Sequence, residues 1–278
     1  MAEPLGLVAG SGRFPLLVAE EASRRGMRVV VMGIPGVTDP ALEKAAGVMH
    51  WFKLGQIDAP IKALKDAGVK KVVMAGKVQH VSLFGGVLPD WRAAKVLMGL
   101  KDKRTDTILK AVVAEFEKDG LEFISSAAYL EHLLAPAGPV TRTALSAAQL
   151  SDAALGWKAA KAVSGFDIGQ TVVAQDGAIV AVEGMEGTDA CVRRAAELAR
   201  SNGREPALVV VKVAKPRQDF RFDLPVVGLD TIPVFKECGV KALILEAGAC
   251  LIFDRARFAE QAAAAGLAVA GFPPEGPS

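Results

Sequence analysis

Cysteine is scarce in this chain of 278 residues, and long apolar runs are missing. The three cysteines, Cys191, Cys238 and Cys250, are scattered in apolar surroundings. They offer neither a disulfide framework nor a zinc spacing, and a reducing cytoplasm suits them. No uninterrupted apolar stretch approaches the roughly 20 residues that cross a bilayer, so no transmembrane helix is expected. The opening residues, MAEPLGLVAG, lack the basic region and apolar core of a secretory signal. An excess of one charge is also missing. With 33 basic and 31 acidic side chains the formal charge is +2, which argues against general nucleic-acid binding. A cytoplasmic enzyme is the expectation, and with 51% hydrophobic residues the chain is long enough for two domains with separate cores.

Periodicity gives an α/β class throughout. Strand 5–9, helix 15–25, strand 28–33, a helical stretch 56–67 and strand 71–75 alternate as a parallel sheet with crossovers requires. Helices are expected at 91–100 and 104–119, with "AAYLEHLL" continuing the pattern. "APAGPVT", 135–141, reads as a linker between a Rossmann-like domain, 1–134, and a second α/β domain with a mixed sheet, 142–278. The second domain is expected to hold helix 151–163 and a hairpin over 170–183, turning at Asp176-Gly177 in a type I′ turn. Helices 189–201, 231–238 and 255–265 and strands 207–213, 242–246 and 267–271 follow. A cleft between the domains is the default ligand site.

The first strand runs into Gly10-Ser11-Gly12 and then a helix. Such glycines let backbone approach a ligand, and a helix start favours a phosphate or another anion. A dinucleotide site also wants a small residue where Pro15 stands and a carboxylate at the end of the second strand, which here ends Met32-Gly33. No nicotinamide cofactor is therefore expected; a tight turn without a ligand is the plain alternative. At the end of strand 71–75, Gly76 and Lys77 sit where a crevice forms, with Lys77 either a point charge for phosphate or a solvated lysine. His50, His80 and His132 read as packing or surface histidines.

The second domain carries two charged stretches. In "EGMEGTDACVRRA", Glu183, Glu186 and Asp189 are spaced by three on a glycine-rich turn, and Thr188 or Asp189 is placed to cap the next helix. In "KVAKPRQDFRFDLPVVG", Lys212, Lys215, Arg217 and Arg221 interleave with Asp219 and Asp223. Cations there neutralise phosphate oxygens, while a carboxylate holds Mg²⁺ or positions water. The alternative is a self-neutralising loop.

Together with "LGLVAGSGRFP", "AGKVQH", "LKAVVAEFEKDGLEF", "DIGQTVVAQDGAIVAVEGMEGTDACVRR" and "LEAGACLIFD", these stretches resemble the UDP-2,3-diacylglucosamine pyrophosphatase family of lipid A biosynthesis, LpxI type, from residue 5 to 254. The resemblance implies hydrolysis of UDP-2,3-diacylglucosamine to UMP and 2,3-diacylglucosamine 1-phosphate (lipid X). It also implies Mg²⁺ or another divalent cation, and lipid product held between two domains. The family's essential aspartate, in its "DLP" motif, falls on Asp223. "AGKVQH" departs from the family's commoner "AGNV-S-R" form at Lys77 and His80.

On this basis Asp223 is expected to bind the metal or orient water, helped by Asp189 or Glu186, with Lys215 and Arg217 stabilising phosphoryl charge. Gly10, Ser11, Gly12, Gly76, Lys77, Gln170, Thr188 and Lys212 are expected to bind substrate. The pyrophosphate is expected between the Gly10–Gly12 loop and the Lys212–Arg221 cluster. Segment 83–100, with Trp91, Arg92 and Lys95, reads either as a core helix, the preferred reading, or as a lid or a surface lying on the inner membrane. Two rival classes stay open, a nicotinamide oxidoreductase and a non-catalytic sugar-nucleotide or lipid-binding module, as does a homodimer.

Overall fold

The computed structural model describes residues 3–77, 89–100, 105–216, 219–222 and 224–277. The chain forms two compact units, Met1–Glu131 with Asp219–Asp223, and His132–Gln218 with Leu224–Ser278.

The N-terminal unit is a parallel sheet built on β1 (Leu5–Ala9), β2 (Val29–Gly33), β3 (Val48–Trp51), β4 (Lys71–Ala75) and β5 (Glu122–Phe123), in the order β3-β2-β1-β4-β5. β2 is buried along its whole length and β1 nearly so, which is why their sequences are continuous apolar runs rather than alternating ones. Among the described residues of this unit the α-helices are α1 (Phe14–Arg24), α2 (Asp58–Asp66), α3 (Trp91–Met98) and α4 (Thr105–Glu117). One carboxylate starts two of them. Asp90 accepts from the Ala93 amide at the head of α3 (2.7 Å) and from the Ile57 and Asp58 amides at the head of α2 (2.6 and 2.9 Å).

Val30, Leu64, Val72, Val113, Phe116 and Phe123 form the core of this unit, joined by Phe222 from the second stretch of chain. Ser126 fixes that stretch. Its amide donates to the Phe220 carbonyl (2.7 Å), and its Oγ lies within hydrogen-bond reach of the Met74 and Arg221 carbonyls (2.6 and 2.8 Å).

Several expectations fail here. β3 and β5 were not anticipated, and "AAYLEHLL" yields only a 3-10 turn at Glu131–Leu133. Nor is the 91–100 segment a core helix: Ala93 is the buried residue of α3, while Trp91 and Met98 are 80% and 74% exposed.

The C-terminal unit opens with α5 (Ala147–Gly165), which starts ahead of the expected residue 151 because Ser146 and Gln149 close a reciprocal capping box. Gly156 lies inside this helix because a side chain there would meet Val211 at 2.7 Å. β7 (Thr171–Gln175) and β8 (Ala178–Val182) form the expected hairpin. Asp176 and Gly177 have φ of 53° and 76°, as a type I′ turn requires, and Asp152 accepts from both turn amides.

Next come α6 (Thr188–Ser201), β9 (Leu208–Lys212), α7 (Thr231–Glu237), β11 (Val240–Glu246), α8 (Arg255–Ala264) and β13 (Ala268–Phe272). β6 (Gly138–Pro139), inside the segment read as a linker, pairs antiparallel with β13. The sheet order is β6-β13-β11-β9-β7-β8, parallel among β13, β11 and β9 and antiparallel at its flanks. β10 (Val226–Val227) and β12 (Leu251–Ile252) make a separate parallel pair. Among the described residues no helix is long and apolar enough to cross a membrane.

Candidate functional site

In the N-terminal unit the two glycine segments meet. Beyond the strand ends, Ser11 and Lys77 exchange backbone hydrogen bonds of 2.8 and 3.1 Å, and Ser11 Oγ donates to the Lys77 carbonyl at 2.9 Å. A β-carbon at Gly10 would lie 2.7 Å from the Lys77 oxygen, and one at Gly76 2.7 Å from the Ser11 oxygen. Both glycines are thus demanded by the contact between the two loops. Gly12 differs, with φ of 89° and open space around it. α1 follows, with no side-chain cap bond from Arg13 at its N-cap and no acidic residue in its first turn.

A hollow of about 440 Å³ lies past the carboxyl ends of β2 and β3, lined by Pro35, Gly36, Val37, Thr38, Pro40 and Trp51. Thr38 ties it to the glycine loop: its hydroxyl donates to the carbonyl of Ala9 (2.6 Å) and accepts from the Ile34 amide (2.8 Å).

In the C-terminal unit, β9 ends on Lys212, which is only 7% exposed. Its ammonium donates to Thr188 Oγ1 (2.8 Å) and Thr171 Oγ1 (3.2 Å). The Thr188 hydroxyl in turn donates to Glu183 Oε1 (2.8 Å), and the Gln170 amide donates to Glu183 Oε2 (3.2 Å). Burial pushes the Glu183 carboxyl up, but the Lys212 charge and the hydrogen bonds from Thr171, Thr188 and Gln170 outweigh it and hold Glu183 below the usual carboxylate range. Neither Thr188 nor Asp189 caps α6. The cap position is Gly187, with φ of 83° and no side-chain hydrogen bond, so the Thr188 hydroxyl is committed to Glu183 and Lys212. A buried ammonium beside an uncapped helix start is suited to an anion.

Two further expected residues make contacts of their own. Lys215 pairs with Asp167 at 2.5 Å. Glu186 is held by Arg194 (2.7 Å) and the Gly184 amide (3.0 Å), and Asp189 is exposed on the first turn of α6. Asp223, Arg217 and His80 lie outside the described residues. Among the described residues no three His, Cys, Asp or Glu side chains group as a metal site, and Asp223, the first expected ligand, lies outside those residues.

The family models described as "LpxI N-terminal domain" and "LpxI C-terminal domain" match residues 4–133 and 136–270. A curated protein of Caulobacter vibrioides, "UDP-2,3-diacylglucosamine pyrophosphatase LpxI", is 32% identical over 277 residues, 98% of each chain. This chain belongs to the LpxI family.

Likeness to solved structures adds nothing to that. The one described as "Crystal structure of gox2253" is 11% identical, with a TM-score of 0.36 over 98% of this chain and 78% of that one, too low to carry an argument. In this LpxI chain the residue that sequence reasoning underrated is Glu183, named there only as one of three acids on a glycine-rich turn. The one available signal was its place directly after an apolar strand, which puts its side chain beside Thr171 and Lys212 only once β8, β7 and β9 are known to be neighbours.

Proposed function

We propose that this LpxI-family chain hydrolyses UDP-2,3-diacylglucosamine to UMP and 2,3-diacylglucosamine 1-phosphate in lipid A biosynthesis. The observation that carries this is the match of both LpxI domain models, one after the other, along the chain. Cleavage of a phosphoric anhydride asks the protein to neutralise phosphate oxygens and to orient a water. Lys212, with the α6 start beside it, supplies a buried cation for a phosphate oxygen. The Gly12 loop and the start of α1 supply a second anion cradle in the N-terminal unit, and the hollow at Trp51, tied to that loop through Thr38, has room for the uridine base.

Asp223 orients the attacking water, a role assigned from the family motif. Lys215 and Arg217 stand on the same connection as charges for the leaving phosphate. A divalent ion belongs to this reading through the family alone, and no step is assigned to it. Peripheral membrane contact is assigned to α3. Trp91, Lys95 and Met98 follow one another at helical spacing on an exposed stripe, an arrangement that suits an anionic lipid surface. Flotation with anionic liposomes should weaken in Trp91→Ala; equal partitioning removes this part.

The deciding experiment incubates the full chain with UDP-2,3-diacylglucosamine in ¹⁸O-labelled water. UMP and lipid X are expected, with the label in one of them, which identifies the phosphorus attacked. Binding without UMP release overturns the reading in favour of a sugar-nucleotide-binding module.

A further inference from the structure

Lys212 has more donors than neighbouring acceptors. An ammonium carries three N–H groups. Thr171 and Thr188 engage two of them, and among the described residues no carboxylate lies within ion-pair distance. The Thr188 hydroxyl is not free to rotate, because it donates to Glu183, itself 9% exposed, and the Thr171 hydroxyl lies 3.4 Å from that of Thr188. A hydroxyl that donates to one group presents its lone pairs to another. Glu183 therefore sets the direction of the Thr188 acceptor, and through it bears on Thr171, and those acceptors set the direction of the ammonium.

We propose that Glu183 is a positioning residue: by taking the Thr188 proton it turns that hydroxyl's lone pairs to Lys212, with Thr171 held beside it, and leaves the third N–H for a phosphate oxygen of the substrate. The three anchors come from different elements. Thr171 opens β7, Thr188 opens α6 and Lys212 closes β9, so the carboxylate that follows β8 ties together the corner where these elements meet. Nothing in the reaction needs Glu183 to touch substrate. Its effect passes through the threonines, and it deepens the reading of Lys212 given above, on which it rests.

The test uses the full chain and inorganic phosphate as the probe, by calorimetry, with Lys212→Met identifying the heat that belongs to this site. Loss of a hydrogen bond that supports a charged group should weaken phosphate binding and raise KM by about tenfold in Glu183→Gln, with kcat changed much less. Thr188→Ser keeps the hydroxyl and should behave as wild type, whereas Thr188→Val should match Glu183→Gln. Because both act along one path, the double variant should be no worse than Thr188→Val alone.

Wild-type phosphate affinity and KM in Glu183→Gln overturn the proposal, as do losses that multiply in the double variant. Should Glu183→Gln fail to fold, the threonine pair decides: equal phosphate affinity in Thr188→Ser and Thr188→Val overturns it. A wild-type chain that shows these couplings but releases no UMP from UDP-2,3-diacylglucosamine overturns the proposed function and leaves the positioning role standing. A wild-type chain that binds no phosphate at this site overturns the positioning role.

Discussion

Gly169 and Glu183 touch through bare backbone: a β-carbon added at Gly169 would lie 2.0 Å from the carbonyl oxygen of Glu183. No rotamer relieves a clash with backbone. Gly169→Ala should therefore destabilise the chain by about 3 kcal/mol or more in urea unfolding, by forcing the loop off Glu183. Gly165→Ala is the control. Its nearest neighbour would be Pro216 Cγ at 3.9 Å, and a helix-final alanine there should be neutral or stabilising by about 0.5–1 kcal/mol.

Asp90 serves the starts of both α2 and α3. Burial acts to raise its carboxyl, but the amides of Ala93, Asp58, Ile57 and Arg92 prevail and hold it below the usual value. A carboxylate depressed in the folded state contributes stability above its unfolded value and loses that contribution as pH falls through the folded one. Asp90→Ala should cost about 2 kcal/mol at pH 7, since a single cap contributes about 0.5–2. The difference from wild type in urea midpoint should shrink as pH is lowered below about 4, the ordinary aspartate range.

The thiols should be silent in the native chain. Burial pushes Cys191 and Cys250 up to about 12 and raises Cys238 as well. Iodoacetamide at pH 8 should leave all three unmodified until denaturant is added, as read by intact mass. Rapid labelling of Cys250 in the folded protein would contradict the packing around Lys212, whose carbonyl accepts from that thiol at 3.5 Å.

Asp223→Ala should lower UMP release by about 10²–10⁴-fold, the scale for a lost general base or water-orienting group. UMP affinity, measured by calorimetry, should stay near the wild-type value. Near-normal turnover would remove Asp223 from the chemistry.

The parts of this fold that could be read from sequence are those with strong local patterns. β1 and β2 are unbroken apolar runs, and the Asp176-Gly177 hairpin depends on a turn chemistry that few other pairs supply. β3 and β5 were invisible because a four-residue "VMHW" and a two-residue "EF" are too short to display a period, and they exist only because neighbouring strands pair with them. The start of α5 was legible and missed: Ser146 and Gln149 stand at capping-box spacing.

At the site, Lys212 was expected from its basic cluster and Thr188 from its glycine-rich turn, whereas Glu183 was named there without a role, because its importance is a property of three adjacent strands. The Lys215–Asp167 pair shows the same limit. Nothing local to either residue announces a partner in another element.

Phe222 has a consequence for how this chain can be cut. A gene fragment ending near residue 134 would encode every strand of the parallel sheet, yet it would omit an aromatic ring that is 2% exposed within that sheet's core, along with two carbonyls that satisfy Ser126. A missing phenylalanine in a packed interior costs about 3–5 kcal/mol, a large part of a small domain's stability. The amino-terminal half is thus a borrower: expressed alone it should aggregate or melt early, and adding a peptide spanning 219–222 in trans, or splicing it onto the fragment, should restore it. Shuffling these halves between relatives would succeed only where this short loan travels with its recipient.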